Sequence, residues 1–237
     1  MAEPARAEPT PGRPSRSAAF FDLDRTLIRG SANYPLAIAA FRGGFVPWGD
    51  LLKDTVNALI FHRKGSTDEG SAALRERILR AVAGTKQADI IHLGDEIVPG
   101  IVARLIPESA RLLAEHHAAG RDRLVVSASP IELVGRIAAA LGLEGAVATR
   151  SELADGRYTG RLAGEFCYGH GKVIEIEKLA AERGYDLEAS FAYSDSISDL
   201  PMLERVGTAV AVNPDRELRA LALERGWHIV ELDGKRR

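Results

Sequence analysis

Two aspartates one residue apart, Asp22 and Asp24 in AAFFDLDRTLI (18–28), follow four apolar residues and precede Thr26. An Asp-x-Asp pair alone is weak evidence, because aspartate also closes turns and caps helices. The chain, however, places polar residues at the ends of two further apolar stretches: Ser127 and Ser129 after RLVV (123–126), and Asp195 and Asp199 in YSDSISDLPML (193–203). Three polar strand ends in one chain fit phosphoryl transfer. Mg²⁺ usually binds one or two protein carboxylates and keeps its other positions for water and phosphate, and Asp22 and Asp195 can supply that pair. A carboxylate beside a phosphate can attack phosphorus, giving an aspartyl-phosphate that water later hydrolyses. That route needs a second carboxyl to protonate the leaving alcohol and then activate the water, and Asp24 is the nearest candidate. Lys172, Ser127 and the helix start after Ser129 can hold the remaining phosphate charge.

Each of these residues also has an ordinary reading. Asp195 and Asp199 can cap the helix that starts near Leu200, and Ser129 with Pro130 reads as a helix cap. Lys172 is by default a solvated charge, set apart by its place after Gly171 between the serine and aspartate stretches. Arg25 either touches substrate or points away. The histidines at 62, 92, 116, 117, 170 and 228 lack zinc-ligand spacing. His116 and His117 read as one inward and one outward position on a helix, and His170 as a surface residue. Arg42, His62, Arg63, Lys64, Arg75 and Arg77 read mostly as a solvated helical face.

The elements that must position the polar ends alternate from residue 106 onward, which predicts β-α-β units and a parallel sheet. Helices are expected over 107–119, 130–142, 171–184, 199–207 and 214–226, with strands over 123–129, 145–150, 190–195, 208–212 and 227–232. Asp155-Gly156 between short alternating segments predicts a hairpin. Residues 31–105 instead show helical spacing without a convincing strand, as in YPLAIAAFRGG, WGDLLKDTVNALIFHRK and EGSAALRERILRAVAG. They read as a helical insertion, a second small domain between the first strand (18–30) and the rest of the core (106–232). Residues 1–17 read as a disordered leader and 233–237 as a loose tail. A formal net charge of −2 offers no broad attraction to nucleic acid or anionic membrane, so small molecules are the default partners. The single cysteine, Cys167, cannot form an intramolecular disulfide and reads as a buried or inert thiol. No window carries the roughly 18 consecutive apolar residues that span a bilayer.

DLDRT (22–26), Ser127 after an apolar strand, Lys172 opening a helix, and SDSISD (194–199) resemble, in order and spacing, the four motifs of the haloacid dehalogenase-like hydrolases. The helical insertion between the first two motifs resembles the cap of the phosphoserine-phosphatase-like branch, subfamily IB. The resemblance implies an α/β fold, a Rossmann-like parallel sheet core with an inserted α-helical cap domain, and a cytoplasmic Mg²⁺-dependent phosphatase acting on a small phosphate ester. It assigns Asp22 as nucleophile, Asp24 as general acid/base, and Ser127 and Lys172 as phosphate ligands. Asp195 becomes a metal ligand together with Asp22 and the backbone carbonyl of Asp24, and Asp199 and Thr26 support the site. Two departures stand out. Phosphoserine-specific relatives carry a glutamate where this chain has Ser31, and an asparagine where it has Ser198. Both leave the phosphoryl chemistry intact and point away from an amino-acid substrate. The alternatives are phosphoserine phosphatase proper, a lipid or isoprenoid phosphate phosphatase suggested by the apolar insertion, and a non-catalytic binding protein on the same fold.

Overall fold

The first strand, β1 (Ala18–Asp22), is AAFFD and buried along its whole length. A strand apolar on both faces belongs inside a parallel sheet with helices on either side. In the computed structural model, which describes residues 16–44, 76, 79–80 and 82–231, that is its place. After β1 come α1 (Asn33–Arg42), α2 (Gln87–Val102), α3 (Pro107–Ala118), β2 (Asp122–Pro130), α4 (Ile131–Ala140) and β3 (Gly145–Thr149). The hairpin β4 (Ser151–Ala154) and β5 (Arg157–Leu162) follows, then α5 (His170–Arg183) and β6 (Phe191–Ser194). A 3₁₀ turn (Ile197–Asp199), α6 (Leu200–Arg205), β7 (Thr208–Val212), α7 (Arg216–Glu224) and β8 (His228–Val230) complete the order.

Six strands form one sheet in the order β3-β2-β1-β6-β7-β8, every pairing parallel. Period-2 alternation sorts β1 between two cores. Ala19, Phe21 and Leu23 pack on one face with Val125, Leu133 and Ile137. Ala18 and Phe20 pack on the other with Leu124, Ile176 and Met202. The chain runs outward from β1 through β2 to β3, then returns to the opposite side of β1 with β6. The strand order therefore reverses between β1 and β6, and such a switch point opens a crevice at the carboxyl ends of the strands.

The α/β expectation and its strand order along the chain hold from residue 106 onward, with boundaries displaced by a few residues. Asp155 and Gly156 both take positive φ (50° and 72°), as the tight hairpin turn requires. Arg16, expected in the leader, bridges Tyr185, and its guanidinium lies 2.7 Å from Asp122. Residues 1–15, 233–237, the stretch 48–64 and most of 69–84 lie outside the described residues, as do His62, Arg63, Lys64, Arg75 and Arg77. Within 31–105, α2 is a helix that the sequence reading did not single out. It continues through Pro99 because Ile90, Leu93, Val98 and Ile101 bury one face, and packing outweighs local propensity. Its start is tied to the hairpin: Gly84 N–H donates to Tyr158 O at 2.8 Å, Tyr158 N–H to Thr85 O at 3.0 Å, and Gln87 N–H to Gly156 O at 2.9 Å.

Candidate active site

Asp22 is the last residue of β1 and pairs in register with Val126, so Ser127 of β2 stands one residue beyond it. On the other side β6 pairs Tyr193 with Phe21, which carries Ser194 and Asp195 to the same sheet end. Asp22 and Asp195 thus flank the switch point. Between Ser127 and Pro130 the β2–β3 pairing slips, a bulge that breaks the ladder where the polar residues begin. Ser127 is buried, and its Oγ accepts from Ser129 N–H at 3.2 Å. Ser129 is not the cap of α4, a place taken by Pro130. Its hydroxyl instead donates to Asn33 Oδ1 at 2.8 Å, joining β2 to α1.

Lys172 sits in the first turn of α5 and is only 2 % exposed. The helix can approach this closely because residue 171 is glycine: a Cβ there would lie 1.9 Å from Phe166 O. The Lys172 ammonium donates to Asp22 Oδ1 and to Asp199 Oδ2, both at 2.7 Å, and Ser194 Oγ donates to the same Asp199 oxygen at 2.6 Å. Asp199 therefore fixes the lysine. Burial works to lower the Lys172 pKa, but Asp199 and Asp22 outweigh it and keep the ammonium charged. Burial raises Asp22 well above the usual carboxylate range, with Lys172 opposing. Burial also pushes Asp195 up to about 7, with Arg25 opposing and Asp199 adding to the rise.

Asp24 lies just past the strand, and both of its carboxylate oxygens are held. Ser31 Oγ donates to Oδ2 at 2.5 Å and Ala32 N–H to Oδ1 at 2.8 Å. Burial raises the Asp24 pKa, and the Ser31 and Ala32 bonds oppose it. Ser31, which stands where phosphoserine-specific relatives carry a glutamate, has its hydroxyl on the second aspartate. Ser198, the other departure, bonds Ser196 Oγ at 3.1 Å. Thr26 is buried with its Oγ1 lacking a partner among the described residues, while its carbonyl accepts from Ser109 Oγ at 2.7 Å. Arg25 takes φ 62° and places Nε 2.7 Å from Asp195 Oδ2, which answers where its side chain goes.

Sequence reasoning missed Asp215. Its Oδ1 caps α7 through Leu218 N–H at 2.8 Å, a role its place before an amphipathic helix signals. Its Oδ2 also accepts from Ile197 N–H at 2.8 Å and its N–H donates to Asp195 O at 2.7 Å, which holds the 195–197 loop. No local pattern announces that 18-residue reach. His170 is exposed, and His116 is buried while His117 is exposed. Cys167 is fully buried and burial pushes its thiol up to about 12, an inert state.

The arrangement offers hard oxygen donors from Asp22 and Asp195, in a cluster where Asp22, Asp195 and Asp199 are buried with Lys172. No three His, Cys, Asp or Glu side chains among the described residues form a closed metal cage. Two carboxylates at the strand ends fit a small hard cation, which takes oxygen ligands.

A family model for the haloacid dehalogenase-like hydrolases matches residues 19–204. The chain belongs to that family. Among haloacid dehalogenase-like hydrolases it is 43% identical over 234 residues to a probable phosphatase of Mycobacterium tuberculosis, covering 96% of this chain and 81% of that one. It is 40% identical over 215 residues to a protein named phosphoserine phosphatase SerB1 from the same species, covering 90% and 70%. A crystal structure of a protein of unknown function from Bordetella pertussis superposes with a TM-score of 0.80 at 30% identity, covering 92% of this chain and 99% of that one. Asp22, Asp24, Ser127, Lys172 and Asp195 all fall within the matched residues.

Proposed function

We propose that this hydrolase is a Mg²⁺-dependent phosphatase that cleaves a small-molecule phosphomonoester through an aspartyl-phosphate on Asp22. The observation that carries the reading is the single buried ammonium of Lys172 bonded at once to Asp22 and Asp199, with Asp195 beside them at the strand ends. Lys172 holds Asp22 Oδ1, so attack on phosphorus falls to the other oxygen. The same ammonium and the Ser127 hydroxyl bind the phosphate's oxygens. Asp24, whose buried carboxyl keeps a proton more readily than an exposed one, gives it to the departing alcohol and then takes one from the attacking water. Asp22, Asp195 and the Asp24 carbonyl would hold Mg²⁺, which when bound supplies positive charge to the phosphate. Residues 31–105 act as the cap over this crevice, in the cytoplasm.

Ser31 bears on the substrate. The hydroxyl donates to Asp24 and accepts from Asn33 N–H at 3.2 Å, and it carries no charge to neutralise a substrate ammonium. A buried ammonium without a partner costs several kcal/mol or loses its proton. The reading therefore favours neutral or larger alcohol phosphates. The 40% identity to a protein named phosphoserine phosphatase favours the second reading, an amino-acid phosphate. The experiment is a panel of sugar, nucleotide, glycerol, prenyl and L-phosphoserine phosphates with Mg²⁺, with EDTA and with Ca²⁺. Turnover should vanish in EDTA, return with Mg²⁺ and be inhibited by Ca²⁺, whose looser coordination draws Asp22 into bidentate binding. Full turnover in EDTA would defeat the metal reading. Phosphoserine leading the panel tenfold or more, about 1.4 kcal/mol of transition-state binding, would select the second substrate class.

A further inference from the structure

Three carboxylates meet at the strand ends, and the two cations that serve them differ in exposure. Lys172 bonds Asp22 and Asp199 and its side chain is 3 % exposed, so it cannot leave without exposing two buried charges. Asp195 is paired instead with Arg25, whose side chain is 50 % exposed while that of Asp195 is 6 % exposed. The backbone directs this contact. Arg25 N–H donates to Ile28 O at 2.9 Å and to Gly30 O at 3.1 Å, a turn that holds the residue at φ 62°. Arginine adopts that region only at a cost, and glycine would adopt it freely. The turn thus delivers a half-exposed cation from the solvent side to the carboxylate that the proposed function gives to the metal.

We infer that Arg25 is the displaceable counter-ion of the cation site: its guanidinium holds Asp195 until a divalent cation takes that carboxylate, and is released to solvent when it does. The inference rests on the proposed metal role of Asp22 and Asp195. Two cations cannot both be drawn to one half-neutralised carboxylate without opposing each other, so the arginine keeps Asp195 in place at the expense of metal affinity. Lys172, already satisfied by two acids, takes no part in the exchange.

The test is Mn²⁺ binding to the full chain without substrate, followed by the electron paramagnetic resonance of free Mn²⁺, with Mg²⁺ as competitor. Arg25→Gly removes the cation and suits the positive φ, so it keeps the turn; Arg25→Lys keeps the charge. Arg25→Gly should bind Mn²⁺ more tightly by about tenfold, between the worth of an exposed and a buried ion pair. Arg25→Lys should stay within about twofold of the parent, since the charge persists. Unchanged or weaker Mn²⁺ binding in Arg25→Gly would overturn the inference, as would equal tightening in both variants. Absence of Mn²⁺ binding by the unsubstituted chain would instead sink the metal reading, and this inference with it.

Discussion

Ser31→Ala removes one hydrogen bond from Asp24 and leaves the other. The lost bond is the 2.5 Å contact from Ser31 Oγ to Oδ2; the surviving one is Ala32 N–H to Oδ1 at 2.8 Å. A hydrogen bond to a charged acceptor contributes roughly 1.5–3 kcal/mol, and partial exposure of this pair places it near the lower end. With Asp24 held by one bond instead of two, proton delivery to the leaving group should slow by about tenfold. The effect should depend on the ester. kcat/KM reports the steps through the first cleavage, where an alkyl alkoxide needs a proton and a nitrophenolate does not. Ser31→Ala should therefore lower kcat/KM for an alkyl phosphate about tenfold, leave p-nitrophenyl phosphate within about threefold, and be rescued by Ser31→Thr. Equal losses for both esters would mean that Ser31 merely shapes the site, and no loss for either would refute the positioning role.

Lys172→Met should destabilise the fold by about 3 kcal/mol, because Asp22 and Asp199 are left buried without their cation. Urea unfolding checks it, and a loss under about 1 kcal/mol would contradict the buried-pair account. His116 supplies a pH prediction. Arg121 Nε donates to His116 Nδ1 at 2.7 Å, so the ring proton sits on Nε2, facing Tyr193 Oη at 2.7 Å. Burial, with Arg121 and Arg123 nearby, lowers its pKa to about 4 from the usual 6.5. The unfolded chain therefore takes up the proton first, so the stability from neutral His116 is complete above pH 6.5 and is lost as pH falls to about 4. The raised Asp195 carboxyl acts in the opposite sense across that whole window, so the readout is the difference between parent and His116→Gln. The variant should lose less stability than the parent between pH 7 and 5, and equal losses would show that His116 is not buried neutral.

The candidate site residues were legible because most of them lie at the end of an apolar segment. FFDLD, LVVS and AYSD are apolar runs that turn acidic or hydroxylic where a buried strand must stop. Lys172 was legible from its place after Gly171, between the serine and aspartate stretches, and the structure adds why that glycine is needed: a Cβ there would lie 1.9 Å from Phe166 O. The contacts that fix these groups were not legible. Ser31 reaches Asp24 across 7 residues and Asp215 reaches Ile197 across 18, and neither distance has a sequence period. Ser129 looked like a cap because Pro130 follows it, yet the bulge in β2 turns its hydroxyl toward Asn33. The helix Gln87–Val102 was hidden by Gly94, Pro99 and Gly100, breakers that tertiary packing overrides. Arg25 carried no pattern, since its contact with Asp195 depends on a positive φ.

The most direct test of the central claim is to catch the covalent intermediate. The protein is mixed with a turned-over phosphate ester and Mg²⁺, quenched in acid within the first turnovers, digested and mapped by mass. The account predicts one added phosphoryl group on the peptide that holds Asp22, lost on alkaline treatment and absent in a folded Asp22→Asn protein that has also lost turnover. Turnover near the parent level in Asp22→Asn, or a phosphoryl group mapped to any other residue, would contradict it.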